Sequence, residues 1–183
     1  MALTISGTSN GKLGNLSLSN RTANILDSGD TSFFTADTWR CNTNLDGPSG
    51  VLTNLERTDE PSSGIVGTGM TESSGVFTFP STGIYMVFAT CHFIHFDGDG
   101  LAQLAIEVTT DNSTYDGSAY IRSGHAGSVD VYRTHSGFAI VDVTDTSLVK
   151  VRFNCSLFSS TTRLGGNTDG SYTHFYFVRL GDT

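Results

Sequence analysis

Hydrophobic and polar residues alternate over short stretches of this chain. Between residues 149 and 153 the two valines and the phenylalanine fall on one parity, and Lys150 and Arg152 fall on the other. Because successive side chains of a β-strand point to opposite faces, this pattern predicts a strand with one face in a core. Residues 84–94 are apolar on both parities, which predicts a central strand covered by the core on one side and by a partner on the other.

Similar runs recur from residue 38 to residue 180, and each is closed by Gly, Pro, Asp or Asn. They predict about ten strands, near residues 38–42, 51–57, 75–79, 84–96, 101–109, 118–122, 128–134, 137–143, 148–158 and 172–180. The sequence shows no helical period, heptad or internal repeat. Many short strands separated by turns predict an all-β fold, an antiparallel β-sandwich or jelly roll.

Residues 1–30 differ from the rest, because they carry Gly, Ser, Asn and Thr with thinly spread Leu and Ile and no aromatic residue. Such a segment buries little by itself, although residues 16–18 alternate like a short strand. We predict an extended N-terminal arm over residues 1–30 that orders against a neighbour, followed by a jelly-roll domain over residues 31–183. A flexible linker or an expression leader is the alternative. The residues assigned to attachment are Leu3, Ile5, Leu13, Leu16, Leu18 and Ile25.

Charge and cysteine content narrow the function. The net charge is −8, from 10 basic and 18 acidic residues, and the basic residues are scattered singly. A surface that follows nucleic-acid phosphates needs clustered Lys and Arg, so we expect no nucleic-acid partner. Cys41, Cys91 and Cys155 show no metal-ligand spacing, and an odd count argues against a disulfide framework.

The chain shows no export or membrane signal. Residues 1–7 lack the basic and apolar regions of a secretory signal peptide, and no apolar stretch reaches the ~20 residues of a membrane span. We therefore expect a protein made in the cytoplasm, with no signal peptide and no membrane partner.

The histidines and serines do not form a catalytic pattern. His92 and His95 lie three residues apart on a predicted strand, so they face opposite sides and do not converge on one metal ion. His135 and Ser136 are neighbours on a strand and point apart, and no nucleophile elbow or placed acid accompanies them. We expect no enzymatic activity.

Two acidic clusters have simpler explanations than chemistry. Glu56, Asp59 and Glu60 are interpreted as solvated loop charges, since neighbours in sequence do not flank a sugar bond as glycosidase carboxylates do. Asp97 and Asp99 lie in an Asp-Gly-Asp-Gly run between two strands, where Asp-Gly pairs supply turn geometry. Calcium is the alternative for this pair, because clustered carboxylates suit that ion. No other cofactor is expected.

Residues 75–87 read Gly-Val-Phe-Thr-Phe-Pro-Ser-Thr-Gly-Ile-Tyr-Met-Val. This segment resembles the signature of the C1q/TNF-like superfamily: Gly-x-Phe-Thr, a proline, then Gly-x-Tyr opening a long inner strand. Val87 departs from it, since phenylalanine is usual there, and so does the placement of Pro80 three residues before Gly83.

Two further segments resemble the same superfamily. Residues 136–143 with 149–151 resemble its next pair of core strands, and residues 175–180 resemble its closing aromatic strand. The resemblance spans about residues 33–180, and it implies a ten-stranded jelly roll that assembles as a three-fold homotrimer.

The last predicted strand supplies a candidate trimer interface. Tyr172, His174 and Tyr176 share one face of it, while the two intervening phenylalanines share the other. Amphipathic aromatic residues suit interfaces, so we place these three around the trimer axis and add Tyr85 from the signature. A monomeric sandwich with a covered outer face is the alternative.

Residues 39–41, 55–59 and 67–70 also resemble C1q-like modules of bacteriophage virion proteins, especially those of marine phage. This resemblance implies a virion structural protein, a capsid decoration, cement or head-fibre protein held by its arm to the major capsid protein or to tail components. The alternative is a receptor-binding tip of a tail fibre that recognises a host glycan or surface protein. Its site would lie in loops such as residues 112–117, 123–128 and 159–170. A cellular C1q-like ligand is a third alternative.

Overall fold

The computed structural model describes residues 34–47, 50–61, 63–96, 100–127, 129–159 and 162–183, together with the backbone of residues 16–18 and 21–23. The chain divides into two units, residues 1–31 and 32–183. The secondary structure of the described residues is entirely β. None of these residues belongs to a helix with the length and apolarity needed to cross a membrane.

In the first unit, strand β1 (Leu16–Leu18) pairs antiparallel with strand β2 (Arg21–Ala23). The short strand expected at residues 16–18 is therefore present, and it has a partner that the sequence did not reveal. The other arm residues assigned to attachment lie outside the described residues, so the attachment role stays a prediction. These residues are Leu3, Ile5, Leu13 and Ile25.

The second unit is a sandwich of two antiparallel sheets. Its strands are β3 (Ala36–Cys41), β4 (Leu45–Asp46), β5 (Gly50–Val51), β6 (Leu55–Arg57), β7 (Thr71–Ser73), β8 (Val76–Thr78), β9 (Gly83–His95), β10 (Leu101–Thr109), β11 (Asp116–Gly124), β12 (Val131–Val143), β13 (Lys150–Leu157), β14 (Arg163–Leu164) and β15 (His174–Gly181). The six-stranded sheet has the order β11-β10-β13-β8-β7, with β5 also paired to β13. The seven-stranded sheet has the order β4-β14-β9-β15-β3-β6, with β12 paired to β9.

The strand predictions agree closely with the structure for the long strands. The prediction for β10 has the observed bounds, whereas the two strands predicted on either side of residue 135 form the single strand β12. Gly137 continues the β12 ladder opposite Ala89, and a Cβ there would lie 2.8 Å from Ile121 of the other sheet. This glycine therefore permits close packing between the sheets instead of ending a strand.

One predicted strand, residues 51–57, is two strands that belong to different sheets. Val51 pairs with Asn154 in the six-stranded sheet, and Leu55 pairs with Cys41 in the seven-stranded sheet. Strands β4, β7 and β14 were not predicted. Two or three residues are too few to display a periodic pattern.

The core lies between the two sheets and is rich in aromatic rings. The odd-numbered residues of β9 from Tyr85 to Phe93 are fully buried, as are the inward residues of β13. The rings of Phe153 and Phe175 stack across the sandwich with centroids 3.8 Å apart. The expected inward valines and phenylalanine of residues 149–153 are confirmed, because their apolar side chains face this core.

The three cysteines are free thiols within this core. Desolvation by burial raises the pKa of the Cys155 thiol to about 12 and raises the pKa values of Cys41 and Cys91 well above their ordinary range. Because the thiolate is the reactive form, these residues act as small hydrophobic side chains.

Glycine has a steric role in the signature segment. Strands β7 and β8 form a hairpin in which Ser73 pairs with Val76, so the loop is Ser74-Gly75. Both loop residues have positive φ, 54° and 84°. This conformation suits the right-handed twist of a two-residue hairpin. A Cβ at Gly75 would also overlap the carbonyl oxygen of Leu52.

Replacing Gly75 by alanine is expected to lower the free energy of unfolding by about 2 to 3 kcal/mol, since it adds a backbone clash to an unfavourable φ. Urea unfolding followed by tryptophan fluorescence measures this loss. The control is Gly64→Ala, because a Cβ at Gly64 meets nothing within 4 Å. Equal stability of the two variants would contradict the steric role of Gly75.

Candidate assembly face

The outer surface of the seven-stranded sheet, which we call the assembly face, is unusually apolar. Tyr176, Phe88 and Phe138 lie directly opposite one another on β15, β9 and β12. The rings of Phe88 and Tyr176 are 6.0 Å apart, and Phe138 is 57% exposed. We call these three residues the aromatic row.

A second apolar row runs beside the aromatic row. Register places Ala36, Val178, Met86 and Ile140 next to one another across four strands, and Ala36 is bridged to Val66. Ile140 and Val66 are both exposed. The two rows together form an apolar band across the sheet, and contiguous exposed apolar surface of this kind marks an interaction site.

The other half of the assembly face is polar. His174, Thr90 and Ser136 form the next row, in which the Thr90 and Ser136 hydroxyls are hydrogen-bonded at 3.0 Å. The Nδ1 of His174 lies 2.8 Å from the carbonyl oxygen of Ser171. These polar groups make hydrogen bonds within the chain, so this end of the face is compatible with contact to water.

An aromatic trio lies at the polar end. The ring of His92 is 5.8 Å from that of Tyr132 and 5.3 Å from that of Tyr172, and its Nδ1 is 3.1 Å from the Thr134 hydroxyl. Partial burial lowers the pKa of His92 below its ordinary value, because desolvation disfavours the imidazolium. Burial between two exposed tyrosines therefore favours the neutral form of this imidazole.

The structure places most of the predicted interface residues on this face. Tyr172, His174 and Tyr176 all lie on it, and Phe175 and Phe177 point into the core. That Tyr172, His174 and Tyr176 contact a second copy of the chain stays a prediction.

The assignment of Tyr85 to the trimer interface is wrong. It is fully buried, its ring lies 4.7 Å from that of Phe79, and its hydroxyl is 2.9 Å from the hydroxyl of Ser81. Tyr85 belongs to the inward parity of β9, so its role is in the core and it is not accessible to a partner.

Phe88, Phe138 and Ile140 are candidate interface residues that the sequence reasoning missed. A signal for them existed. Residues 84–94 are apolar on both parities, and Phe138 and Ile140 interrupt the otherwise polar parity of β12.

A buried arginine borders the polar half of the face. Arg40 is fully buried; its Nε donates to Glu56 at 2.7 Å, its Nη1 to Glu60 at 2.6 Å and its Nη2 to Asp59 at 2.5 Å. The hydroxyl of Ser171 also donates to Glu60, at 2.9 Å. Burial alone lowers the pKa of Arg40, but the carboxylates outweigh it and raise the pKa above its ordinary value.

The interpretation as solvated loop charges was therefore wrong for Glu56 and Glu60, whereas Asp59 is 81% exposed and also pairs with Arg40. They compensate one buried cation, and they hold the loop after β6 and the loop before β15 against the sheet. Unpaired, a buried guanidinium would be costly.

Metal chemistry receives no support from the described residues. The expected opposite orientation of the two strand histidines is confirmed, since His95 is buried with its Nε2 2.9 Å from Ser123 Oγ and His92 lies on the assembly face. Within the described ranges, no group of three or more His, Cys, Asp or Glu side chains is arranged to hold a metal ion. Asp97 and Asp99 lie outside these ranges.

A scan against models of known protein families finds no match, and a search of curated proteins finds none either. Solved structures, by contrast, match the fold. Eiger TNF from S. frugiperda superposes with a TM-score of 0.62 at 12% identity, over 82% of this chain and 95% of that chain. Murine APRIL at pH 8.5 gives 0.56 at 12% identity, over 80% and 99%. The globular domain of zebrafish complement 1qA protein gives 0.50 at 13% identity, over 82% and 99%.

These similarities establish the class of fold. The second unit is an all-β jelly roll of the C1q/TNF-like kind, as the signature at residues 75–87 implied. At such low identity the match defines the fold and does not define an activity.

Proposed function

We propose that this protein is a bacteriophage virion structural protein that assembles as a homotrimer through the assembly face and decorates the particle. The apolar band across the assembly face carries this proposal. A sheet that already buries one face in a core has no need of large apolar side chains on the other, unless a partner covers them.

A second copy of this chain is the partner that best fits the band. The resemblance to the C1q/TNF-like superfamily implies three-fold assembly, and the aromatic row supports it. Tyr176, Phe88 and Phe138 present adjacent aromatic side chains on three neighbouring strands, and such residues dominate the energy of protein interfaces. Three copies would exclude water from this row.

Two further apolar side chains are exposed near the start of the domain. Phe34 and Leu180 are both exposed, and the backbone between them is held by the hydrogen bond from the Arg179 N–H to the Thr35 carbonyl oxygen. A trimer carries three copies of residues 1–31. Three arms acting together turn weak attachment into tight attachment.

The virion role is supported by the sequence. Residues 39–41, 55–59 and 67–70 resemble C1q-like modules of phage virion proteins. The arm, rich in Gly and Ser, suits pairing along an exposed strand edge of a capsid or tail protein.

Deleting residues 1–30 tests the attachment role. The shortened chain is expected to sediment as a trimer and to lose binding to purified particles, because the assembly face is intact and the arm is gone. Co-sedimentation with particles that lack this protein measures the loss. Unchanged binding of the shortened chain to particles would contradict attachment through the arm.

A receptor-binding tip is the second candidate, and one observation favours it. A cleft of about 440 Å³ opens at the loop of residues 110–118, one of the loops expected to contact a receptor. The N–H groups of Ser113 and Thr114 donate to Asp111 in this loop, which fixes its shape and lowers the pKa of that carboxyl. For a tip protein, deletion of residues 1–30 leaves binding to host cells intact, and the copy number per virion is low.

A further inference from the structure

The outer surface of the six-stranded sheet carries an exposed tyrosine bordered by planar polar side chains. Register places Tyr120 opposite Ala105, and Arg122 opposite Gln103, on β11 and β10. On the next strand, Asn154 lies opposite Ala105. Tyr120 is 53% exposed, although its neighbour Ala105 is buried.

Tyr120 lies along its own strand. A Cβ at Gly117 would overlap the Tyr120 hydroxyl, so the ring rests against the backbone at a position where only glycine leaves room. Tyr120 is 53% exposed, so part of the ring stays open to solvent beside the Arg122 guanidinium. The negative face of an aromatic ring attracts the partially positive C–H groups of a pyranose.

The guanidinium of Arg122 lies over this ring. Its guanidinium carbon is 5.4 Å from the centroid of the Tyr120 ring, and its Nε donates to Gln103 Oε1 at 2.7 Å. The acceptor is a neutral amide, so Arg122 keeps its positive charge. Its terminal nitrogens form a fork that matches the two oxygens of a carboxylate.

The charge of this surface is opposite to that of the whole chain. The outward side chains of β10, β11 and β13 include Arg122, Lys150 and Arg152, and Glu107 is the carboxylate among them. Glu107 is already engaged, because it accepts hydrogen bonds from Arg152 at 2.6 Å and from Asn154 at 2.9 Å. Arg152 and Glu107 offset each other, so Arg122 is the charge beside Tyr120 that favours an anionic ligand.

We propose that Tyr120 and Arg122 bind an acidic saccharide, a pyranose that carries a carboxylate. The sugar ring packs on the part of the Tyr120 ring that Arg122 leaves exposed, the carboxylate pairs with the terminal nitrogens of Arg122, and the side-chain amides of Gln103 and Asn154 contact hydroxyl groups. This site lies on the sheet opposite the assembly face, so assembly through that face leaves it accessible.

Saturation-transfer NMR titration of the full chain tests the site with three probes: methyl β-D-glucuronide, the methyl α-glycoside of N-acetylneuraminic acid, and methyl β-D-glucoside as the neutral control. Ligands of this size bind a single platform with dissociation constants on the order of 1 mM. At least one acidic probe is expected to bind about tenfold more tightly than the neutral sugar. The two acidic probes distinguish a uronate-containing polysaccharide from a sialylated glycan as the source.

Two variants separate the two contacts. Tyr120→Ala is expected to weaken the binding of the acidic sugar about tenfold. Arg122→Gln is expected to abolish the preference for the acidic over the neutral sugar, while the neutral sugar still binds. Tyr172→Ala, an exposed tyrosine on the assembly face, is the matched control and should leave sugar binding unchanged. Equal binding of acidic and neutral probes, or no saturation transfer at about 50 mM ligand, tenfold and more above the expected constant, would overturn the proposal.

Sedimentation of the same samples keeps this result independent of the assembly proposal. A trimer that binds no acidic sugar rejects the saccharide site alone. A monomer that binds acidic sugar through Tyr120 and Arg122 confirms the site and rejects assembly through the opposite sheet.

Discussion

Phe138→Glu is expected to convert the proposed trimer into a monomer. Phe138 lies at the β12 end of the aromatic row, opposite Phe88, and is 57% exposed in the isolated chain. In the proposed trimer it would be buried, so a glutamate there would bring an unpaired charge from each copy into a water-excluded interface. Sedimentation velocity at about 10 µM, a concentration at which specific interfaces of standard size are populated, should show the mass falling from about three times 19.5 kDa to 19.5 kDa.

The matched control is Phe158→Glu. Phe158 is also an exposed phenylalanine, 66% accessible, but it follows β13 of the other sheet. The same change of size and charge away from the assembly face should leave the trimer intact. Phe138→Glu should unfold at the same urea concentration as the native chain in its monomeric state, since the Phe138 side chain contributes little to the core. A native chain that sediments at 19.5 kDa at micromolar concentration would contradict the proposal that the apolar band binds a second copy of the chain.

The sheet faces that carry this prediction were partly readable from the sequence. Alternation in residues 149–153 assigned the inward side of β13 correctly, because a single apolar parity leaves one choice. Residues 84–94 offered two apolar parities. The sequence therefore predicted that β9 would be covered on both faces but did not reveal which parity would face the core, and Tyr85 was placed on the wrong side.

Register resolves that ambiguity, and register is a property of the folded sheet. Phe175 and Phe177 point inward, and they lie opposite Ala89 and Val87 of β9. The odd residues of β9 therefore join the core, which sends Phe88 outward into the aromatic row. A sequence-based assignment becomes reliable here only when both neighbouring strands are considered together.

The Arg40 network was outside the reach of the sequence pattern. Arg40 pairs in register with Glu56 on β6, and Glu60 reaches the same guanidinium from the loop that follows. The two elements are separated along the chain by the short strands β4 and β5, which pair with other strands. Nothing in the local sequence indicates that β3 and β6 become neighbours, so the carboxylates read as ordinary loop charges.

Arg40→Met is expected to lower the free energy of unfolding by about 3 kcal/mol at neutral pH, because it removes the hydrogen bonds of a fully buried cation and leaves its carboxylates without their partner. Urea unfolding measures the change. Arg163→Met is the matched control, since the ion pair between Arg163 and Asp46 is partly exposed and such pairs contribute less than about 1 kcal/mol. Similar losses in the two variants would show that the buried network adds nothing beyond a surface pair.

The same variant predicts a change in acid stability. The backbone N–H of Glu60, the hydroxyls of Ser171 and Ser63, and Arg40 together lower the pKa of Glu60 from 4.5 to about 2. A carboxyl whose pKa is depressed by folding stabilises the folded state above its unfolded pKa, and this stabilisation is lost as the pH falls towards the folded value. The intact chain should therefore lose stability between about pH 4.5 and pH 2, and Arg40→Met should lose less over the same interval because one cause of the shift is gone. If both proteins lose unfolding free energy equally between these pH values, the hydrogen bonds from the backbone and Ser171 keep Glu60 ionised without the arginine. The role of Arg40 would then be limited to neutralising Glu56 and Asp59.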